Sequence, residues 1–466
     1  MDPGIRAAIE YIPSWIEFQM RQHQQPGCSI AITVDGRVVL EQAFGYANLA
    51  NRDPLTARHR FRVASHSKTF TAAGVMKLRD QDKLGLDDPI GMYVQSLPGA
   101  ISKRTISQCL SHTAGLVRDG PDAGQWAGRI PFRSREQIFA DLAAGLTIEP
   151  GTRFKYSNHG YALAGMAIEA ISGEAYGDWI SREILRPGGL EETLTDAPVA
   201  AGTPFANGHS AVWPLGERVV IPADGATHAI MPAGGFVSTA SDLAKFFSSL
   251  DPASAASVLS VDSRREMIRR QWREPDASFG RWYGLGVMSG TPENGSWEWF
   301  GHSGVFWGTL SRTACLSGHG IAVSILTNSA DGLANFWVDG VLRLIQAGST
   351  GGGPSARTSA WTGRWWSPSA AFDLLPMRDR VMVVTPALLD PTLDAGLLEL
   401  NPENTDQAKF VRAAGLASFG EPARLVRENN AQISEVWLGG TRLVSEQQAA
   451  AELRSSLSAA PAKPIL

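Results

Sequence analysis

The sequence predicts a mixed α/β (α+β) body followed by a small C-terminal all-β barrel domain, on three observations. Two β-rich runs in CSIAITVDGRVVLEQAFGYANL meet at Asp35-Gly36, and strand character returns in SWEWFGHSGVFWGTLSRTACL and GIAVSILTNS. Between them, from about residue 60 to 290, the pattern is mixed and helix-rich, with loops full of Gly and Pro. After a glycine-rich stretch, AGSTGGGPSARTSA, the chain breaks into short β-like runs separated by turn residues.

Each element has a local reason. Residues 5 to 20 read as an amphipathic helix. Asp35-Gly36 between apolar runs is a hairpin signal, because both turn positions need positive φ. TFTAAGVMKL is apolar nearly all round until Lys77, which predicts a helix through a protein interior. DGLANFWVDGVLRLIQ, residues 331 to 346, reads as a last helix of the body. The composition of the next stretch is that of a flexible linker. Beyond it AAFDLL, RVMVV, GLLEL, ARLVR and SEVWLGGTRLV, the last with a Gly-Gly turn, predict a small barrel or sandwich. The expected domains are therefore 1–347, a linker at 348–358, a barrel-like domain at 359–455 and a frayed tail at 456–466.

Bulk properties narrow the function classes. A chain of 466 residues is too long for one typical core. Hydrophobic residues at 44% and charged residues at 19% fit a well-packed protein. The net charge is −4 and no basic block occurs, so no nucleic-acid partner is expected. Cys28, Cys109 and Cys315 are far apart and follow no metal or redox spacing, which predicts buried free thiols in a reducing compartment. Glu10 and Glu17 interrupt what would be the apolar core of a signal peptide, and no segment is apolar enough to span a bilayer. A cytoplasmic location without a membrane partner is expected, and a homodimer is the one assembly kept open.

The chemistry concentrates in FRVASHSKTF. Ser65 and Lys68 are at i and i+3, one face of a helix, at the start of the most buried-looking helix in the chain. A serine there lies among unpaired N–H groups, and a lysine drawn into an apolar setting loses solvation, so its basic form becomes accessible. A hydroxyl nucleophile needs such a base within reach. Ser-x-x-Lys alone also arises by chance, but rival signatures are missing: there is no Gly-x-Ser-x-Gly elbow and no His-Glu-x-x-His. Two further motifs follow, Tyr156-Ser157-Asn158 and His302-Ser303-Gly304.

In this order and spacing, with LSHTAGL at 110–116, KLGLDDPI at 83–90 and MPAGGFVSTASDLAKF at 231–246, the chain resembles the serine β-lactamase and penicillin-recognising enzyme superfamily. The likeness covers roughly residues 5 to 346 and is nearest to the branch of class C β-lactamases, D-aminopeptidases and family-VIII esterases. It implies an antiparallel sheet flanked by helices with a helical subdomain. It also implies an acyl-enzyme hydrolase: Ser65 as nucleophile, Lys68 and Tyr156 as joint base, and Asn158 holding the lysine and the substrate amide. His302 and Gly304 would border the substrate, and the N–H groups of Ser65 and Val305 would hold the oxyanion. A cationic Lys68 beside Tyr156 would favour its phenolate form. No metal and no organic cofactor is implied.

Where many β-lactamases have Lys-Thr-Gly, this chain has His302, which weakens the case for a carboxylate receptor there. A D-stereospecific aminopeptidase or amidase on small molecules or short peptides is therefore the first expectation. A carboxylesterase follows, then a β-lactamase or D,D-carboxypeptidase, and a non-catalytic binding protein of the same fold is the remote alternative. Tyr46-Ala47-Asn48 is a literal second Tyr-x-Asn, but it precedes Ser65 on the first hairpin and reads as structural. His66, Ser67 and His112 are expected to pack rather than react.

Overall fold

Asp2 starts the first helix, its carboxylate accepting from the N–H groups of Gly4 and Ile5, with Pro3 at the first helical position, where its missing N–H costs nothing. This helix is α1 (Pro3–Gln22). The computed structural model describes residues 1–213, 215–222, 224–275, 280–291, 297–413, 418–428 and 432–458. They form two compact units, one of residues 25–338 and one of residues 1–24 with 339–466.

The unit of residues 25–338 is built on a nine-stranded sheet. Its strands are β1 (Gly27–Val34), β2 (Arg37–Asn48), β3 (Asp53–Pro54), β4 (Trp272–Arg273), β5 (Trp282–Tyr283), β6 (Met288–Gly290), β7 (Trp299–Phe306), β8 (Thr309–Leu316) and β9 (Ile321–Thr327). The order across the sheet is β3-β2-β1-β9-β8-β7-β6-β5-β4, antiparallel throughout. Asp35 and Gly36 take φ of 50° and 75°, as the β1–β2 turn requires. β1 pairs with β9, Cys28 facing Thr327, so chain segments far apart in sequence form the centre of the sheet.

Between β3 and β4 lie the helices. α2 (Ser67–Asp80) is buried on almost every side, with Phe70, Ala72, Ala73, Val75, Met76 and Leu78 fully enclosed. α3 (Asn158–Ser172) begins at Ser157, whose hydroxyl accepts from the Gly160 N–H, and ends at left-handed Gly173. α4 (Ala240–Leu250) packs its apolar face on the sheet beside β1 and β9. Their side chains join Phe61, Val63, Phe236 and Phe300 in one continuous core. Cys28, Cys109 and Cys315 are all buried free thiols.

The other unit holds an eight-stranded antiparallel sheet: β10 (Gly363–Trp366), β11 (Ala371–Pro376), β12 (Arg380–Val384), β13 (Gly396–Leu400), β14 (Gln407–Arg412), β15 (Pro422–Arg427), β16 (Ile433–Leu438) and β17 (Thr441–Leu443). Each strand pairs with the next, and Trp366 and Val444 exchange hydrogen bonds of 2.8 and 2.9 Å that draw the last strand onto the first. The result is a nearly closed barrel around Trp361, Leu374, Val381, Leu398, Phe410 and Val436. Gly439 and Gly440, φ 52° and 83°, make the predicted turn between β16 and β17. The sequence reading named neither β10 nor β14. In β14 only Ala408 and Phe410 turn inward among exposed Gln407 and Lys409, so its apolar signal is faint.

The units do not follow the expected boundaries. α1 belongs with the barrel residues rather than with a 1–347 body. The Tyr11 hydroxyl reaches Asp373, Gln19 donates to the Pro386 carbonyl at 2.7 Å, and the Phe18 ring meets Trp366 at 5.8 Å. The helix expected at 331–346, α5 (Ala334–Gly351), runs on into the predicted linker. Gly348 allows this because the backbone of α1 at Gly4 lies against it, closer than any Cβ permits. A final helix, α6 (Glu446–Ser458), enters the segment read as a tail; residues 459–466 of that tail lie outside the described residues.

Candidate active site

Ser65 sits two residues before α2, on a single turn of 3₁₀-helix spanning Ala64–His66. Ala64 takes a left-handed φ of 47°, a conformation that costs a non-glycine residue about 1 kcal/mol or more and needs surroundings that enforce it. The neighbours predicted to pack supply that enforcement. The Ser67 hydroxyl donates to the Ala64 carbonyl at 2.6 Å and accepts from the Phe236 N–H at 3.0 Å. His66, fully buried, places Nδ1 3.1 Å from the Val63 carbonyl and Nε2 3.1 Å from the Thr313 hydroxyl. Ser65 is thus the half-exposed residue in a buried, strained turn.

Lys68 is one turn further along and has no exposed surface. Its Nζ lies 3.1 Å from Ser65 Oγ and donates to the Ala233 carbonyl at 2.6 Å. Burial holds the ammonium well below the usual lysine range, with Asp119 pulling weakly the other way. The Tyr156 hydroxyl lies 2.9 Å from Ser65 Oγ, on the loop that delivers the chain to α3. The three groups named from sequence therefore converge on one oxygen.

The expected phenolate is corrected. Burial pushes the Tyr156 hydroxyl well above its ordinary value, and its hydrogen bond to Ser65 offsets this only in part. Enclosure of the ring disfavours the charged form, so the resting tyrosine keeps its proton. His112 underlies it, ring centres 4.1 Å apart, with Nδ1 accepting from the Ser157 N–H at 3.1 Å.

Asn158 is corrected too. Its amide nitrogen donates to Asp119 at 2.6 Å, and its Oδ1 is buried with no hydrogen-bond partner among the described residues. The group that grips Lys68 is instead the Ala233 carbonyl. Asp119 collects three donors: Asn158, the Trp126 indole at 2.8 Å on the same oxygen, and Arg118 Nε at 3.0 Å on the other. Sequence reasoning named neither Asp119 nor Ala233, although each falls in or just after a motif it quoted.

β7 forms the opposite wall. His302 has no exposed surface: Nε2 is 3.0 Å from the Tyr283 hydroxyl and Nδ1 is 2.7 Å from the Ser303 carbonyl. Burial and the nearby His66 and Lys68 hold it neutral, well below the usual imidazole range. With no exposed surface, the His302 ring is not open to a ligand, which corrects its place among substrate-contacting side chains. Gly304 is required by close approach, since a Cβ there would stand 2.1 Å from the Val63 carbonyl oxygen. Phe306 and Thr309 flank the two-residue β7–β8 loop, so the next pair, Val305 and Leu310, is a non-hydrogen-bonded one. The Val305 N–H consequently points away from β8, along an edge that β6 covers only as far as Gly301. Tyr46 and Asn48 are elsewhere, in β2, where Asn48 bonds to Asn207.

Among the described residues no group of three or more His, Cys, Asp or Glu side chains is placed to hold a metal ion. No described helix is long and apolar enough to cross a membrane.

Comparison with known proteins places this geometry. The family model described as beta-lactamase matches residues 12–347. Penicillin-binding protein 4* of Bacillus subtilis (strain 168) is 30% identical over 191 residues, 40% of this chain and 41% of that protein. The chain thus spans about two fifths of that curated relative. Among solved structures, SurE is 26% identical with a TM-score of 0.61, covering 95% of this chain and 99% of that one. The D-amino acid amidase of Ochrobactrum anthropi SV3, complexed with L-phenylalanine amide, is 25% identical with a TM-score of 0.59, covering 72% and 98%. The octameric penicillin-binding protein homologue from Pyrococcus abyssi shares the fold at a TM-score of 0.64 and 24% identity, over 94% of this chain and 100% of that one.

Proposed function

The chain belongs to the beta-lactamase family of serine hydrolases, and on that premise we propose that it is a D-stereospecific aminopeptidase or amidase acting on small amides and short peptides. The observation that carries the hydrolytic reading is the placement of Ser65 Oγ between a fully buried Lys68 Nζ at 3.1 Å and the Tyr156 hydroxyl at 2.9 Å. Lys68, whose basic form burial favours, takes the Ser65 proton as Oγ attacks the scissile carbonyl. The N–H groups of Ser65, unpaired at the start of its helical turn, and of Val305, on the open edge of β7, hold the oxyanion; such a donor is worth ~10²–10³ in rate. The proton passes from Lys68 through Tyr156 to the leaving nitrogen, and water then hydrolyses the acyl-enzyme by the reverse relay.

The amidase reading is supported by the likeness to the D-amino acid amidase and by the neutral, enclosed His302, which offers no cation where Lys-Thr-Gly enzymes have one. Trp126, Phe132 and Phe306 form an aromatic cluster with ring centres 5.1 to 5.9 Å apart, and the Trp126 indole donates to Asp119. Hydrolysis of D-alanine p-nitroanilide, its L-enantiomer, p-nitrophenyl butyrate and nitrocefin tests the proposal. The D-anilide should be the best amide by at least tenfold over the L-form. Faster turnover of nitrocefin, or hydrolysis of the butyrate alone, would overturn it.

A further inference from the structure

The cation missing from β7 has a counterpart across the site. Arg118 stands immediately before Asp119, and its guanidinium carbon lies 5.4 Å from the centre of the Tyr156 ring, within cation–π range. Its side chain is 63% exposed, whereas Lys68 and His302 have no exposed surface. Arg118 is nonetheless fixed. Nε is spent on Asp119 at 3.0 Å, and Asp119 is itself held by Trp126 and Asn158. The two terminal nitrogens have no hydrogen-bond partner among the described residues. An anchored guanidinium with its outer fork free suits bidentate capture of a carboxylate.

We propose that Arg118 forms an anion subsite for the leaving group, selecting short peptides whose carboxylate follows the scissile bond. The position defines the side. A leaving nitrogen that takes its proton from Tyr156 carries its substituents past that ring, and Arg118 borders it. This inference rests on the hydrolase reading and sharpens its substrate class: D-aminoacyl peptides with a free carboxyl end, in preference to capped amides.

The test compares kcat/KM for D-alanyl-glycine and D-alanyl-glycinamide, which differ only in that charge. A second pair has one acyl group: the butyrate esters of 4-hydroxybenzoate and of methyl 4-hydroxybenzoate. The native enzyme should favour the charged member by about tenfold or more, and the preference should shrink with added salt. Arg118→Gln should abolish the ratio through KM, and Arg118→Lys should restore part of it. A purely structural role would lower both members of a pair together and leave the ratio intact, which would overturn the proposal, as would a native enzyme without preference. If neither dipeptide is cleaved but the ester pair shows an Arg118-dependent preference, the anion subsite stands and the aminopeptidase reading falls.

Discussion

Lys68 and Asp373 are both buried ionisable side chains, one in each compact unit, and their surroundings treat them in opposite ways. Asp373 accepts two hydrogen bonds of 2.7 Å from Arg364 and another from the Tyr11 hydroxyl, so its charge is fully answered. Lys68 has a hydroxyl and a carbonyl as its hydrogen-bond partners and no carboxylate in contact. An answered charge ties elements together, here α1 to β10 and β11, and does nothing else. An unanswered one is driven toward its neutral form, which for lysine means a base. The unit containing Ser65 keeps other groups short of partners as well, including Asn158 Oδ1 and His112 Nε2. The unanswered lysine in the one unit and the answered carboxylate in the other divide chemistry from architecture.

Substitutions can break this contrast, beginning with the largest effect. Ser65→Ala should lower kcat by ~10⁴–10⁶ with the melting temperature nearly unchanged, because the attacking oxygen is removed and the turn around it stays. More than a few per cent of residual activity in purified variant would remove Ser65 from the nucleophile's role. Asp373→Ala should do the reverse, costing about 3–5 kcal/mol in urea unfolding by stranding Arg364, with kcat below the transition within about twofold. A mild effect on stability would show that the barrel network is not the tie inferred.

Lys68→Ala and Tyr156→Phe should each cost ~10²-fold or more in kcat, and the double variant should be far from the product of the two, since both act on one proton. Tyr46→Phe should leave the rate within about twofold. A large effect at Tyr46 with little at Tyr156 would exchange their assignments.

The smallest effect is on pH dependence. Burial holds His66 at about 3 and keeps His112 and His302 well below the usual imidazole range. Unfolded histidines titrate near 6.5, so below that value the unfolded chain binds protons the folded chain refuses, and stability falls as pH falls. Each such histidine contributes about 1.4 kcal/mol per pH unit until its own folded value is reached. Urea midpoints taken near neutrality and one unit below 6.5 should show the decline, and His66→Gln should flatten it. An equal slope in that variant would mean His66 charges inside the fold.

Much of the site was legible because its signals are short. Ser65 and Lys68 are one helical turn apart, Ser157 caps α3 from inside the Tyr156 motif, and Asp35-Gly36 and Gly439-Gly440 state their turns in two residues. Ser65, Lys68 and Tyr156 were all within reach of such reading. The errors began where a partner comes from elsewhere. Asn158 looked like the lysine's holder, yet Ala233, 165 residues from Lys68, is the acceptor. His302 looked like a ligand-facing side chain until Tyr283 and the Ser303 carbonyl enclosed it.

The sequence by itself determined most of the elements, the hairpin turns, the buried thiols and the trio Ser65, Lys68 and Tyr156, because periodicity and turn chemistry act over a few residues. Only the tertiary structure decided that α1 belongs with the barrel and that β17 returns to β10. It alone set the burial that favours the neutral forms of Lys68 and Tyr156 and left Arg118 with a free fork beside the Tyr156 ring. Those outcomes depend on desolvation and on hydrogen bonds between distant segments, and neither exists until the chain has packed.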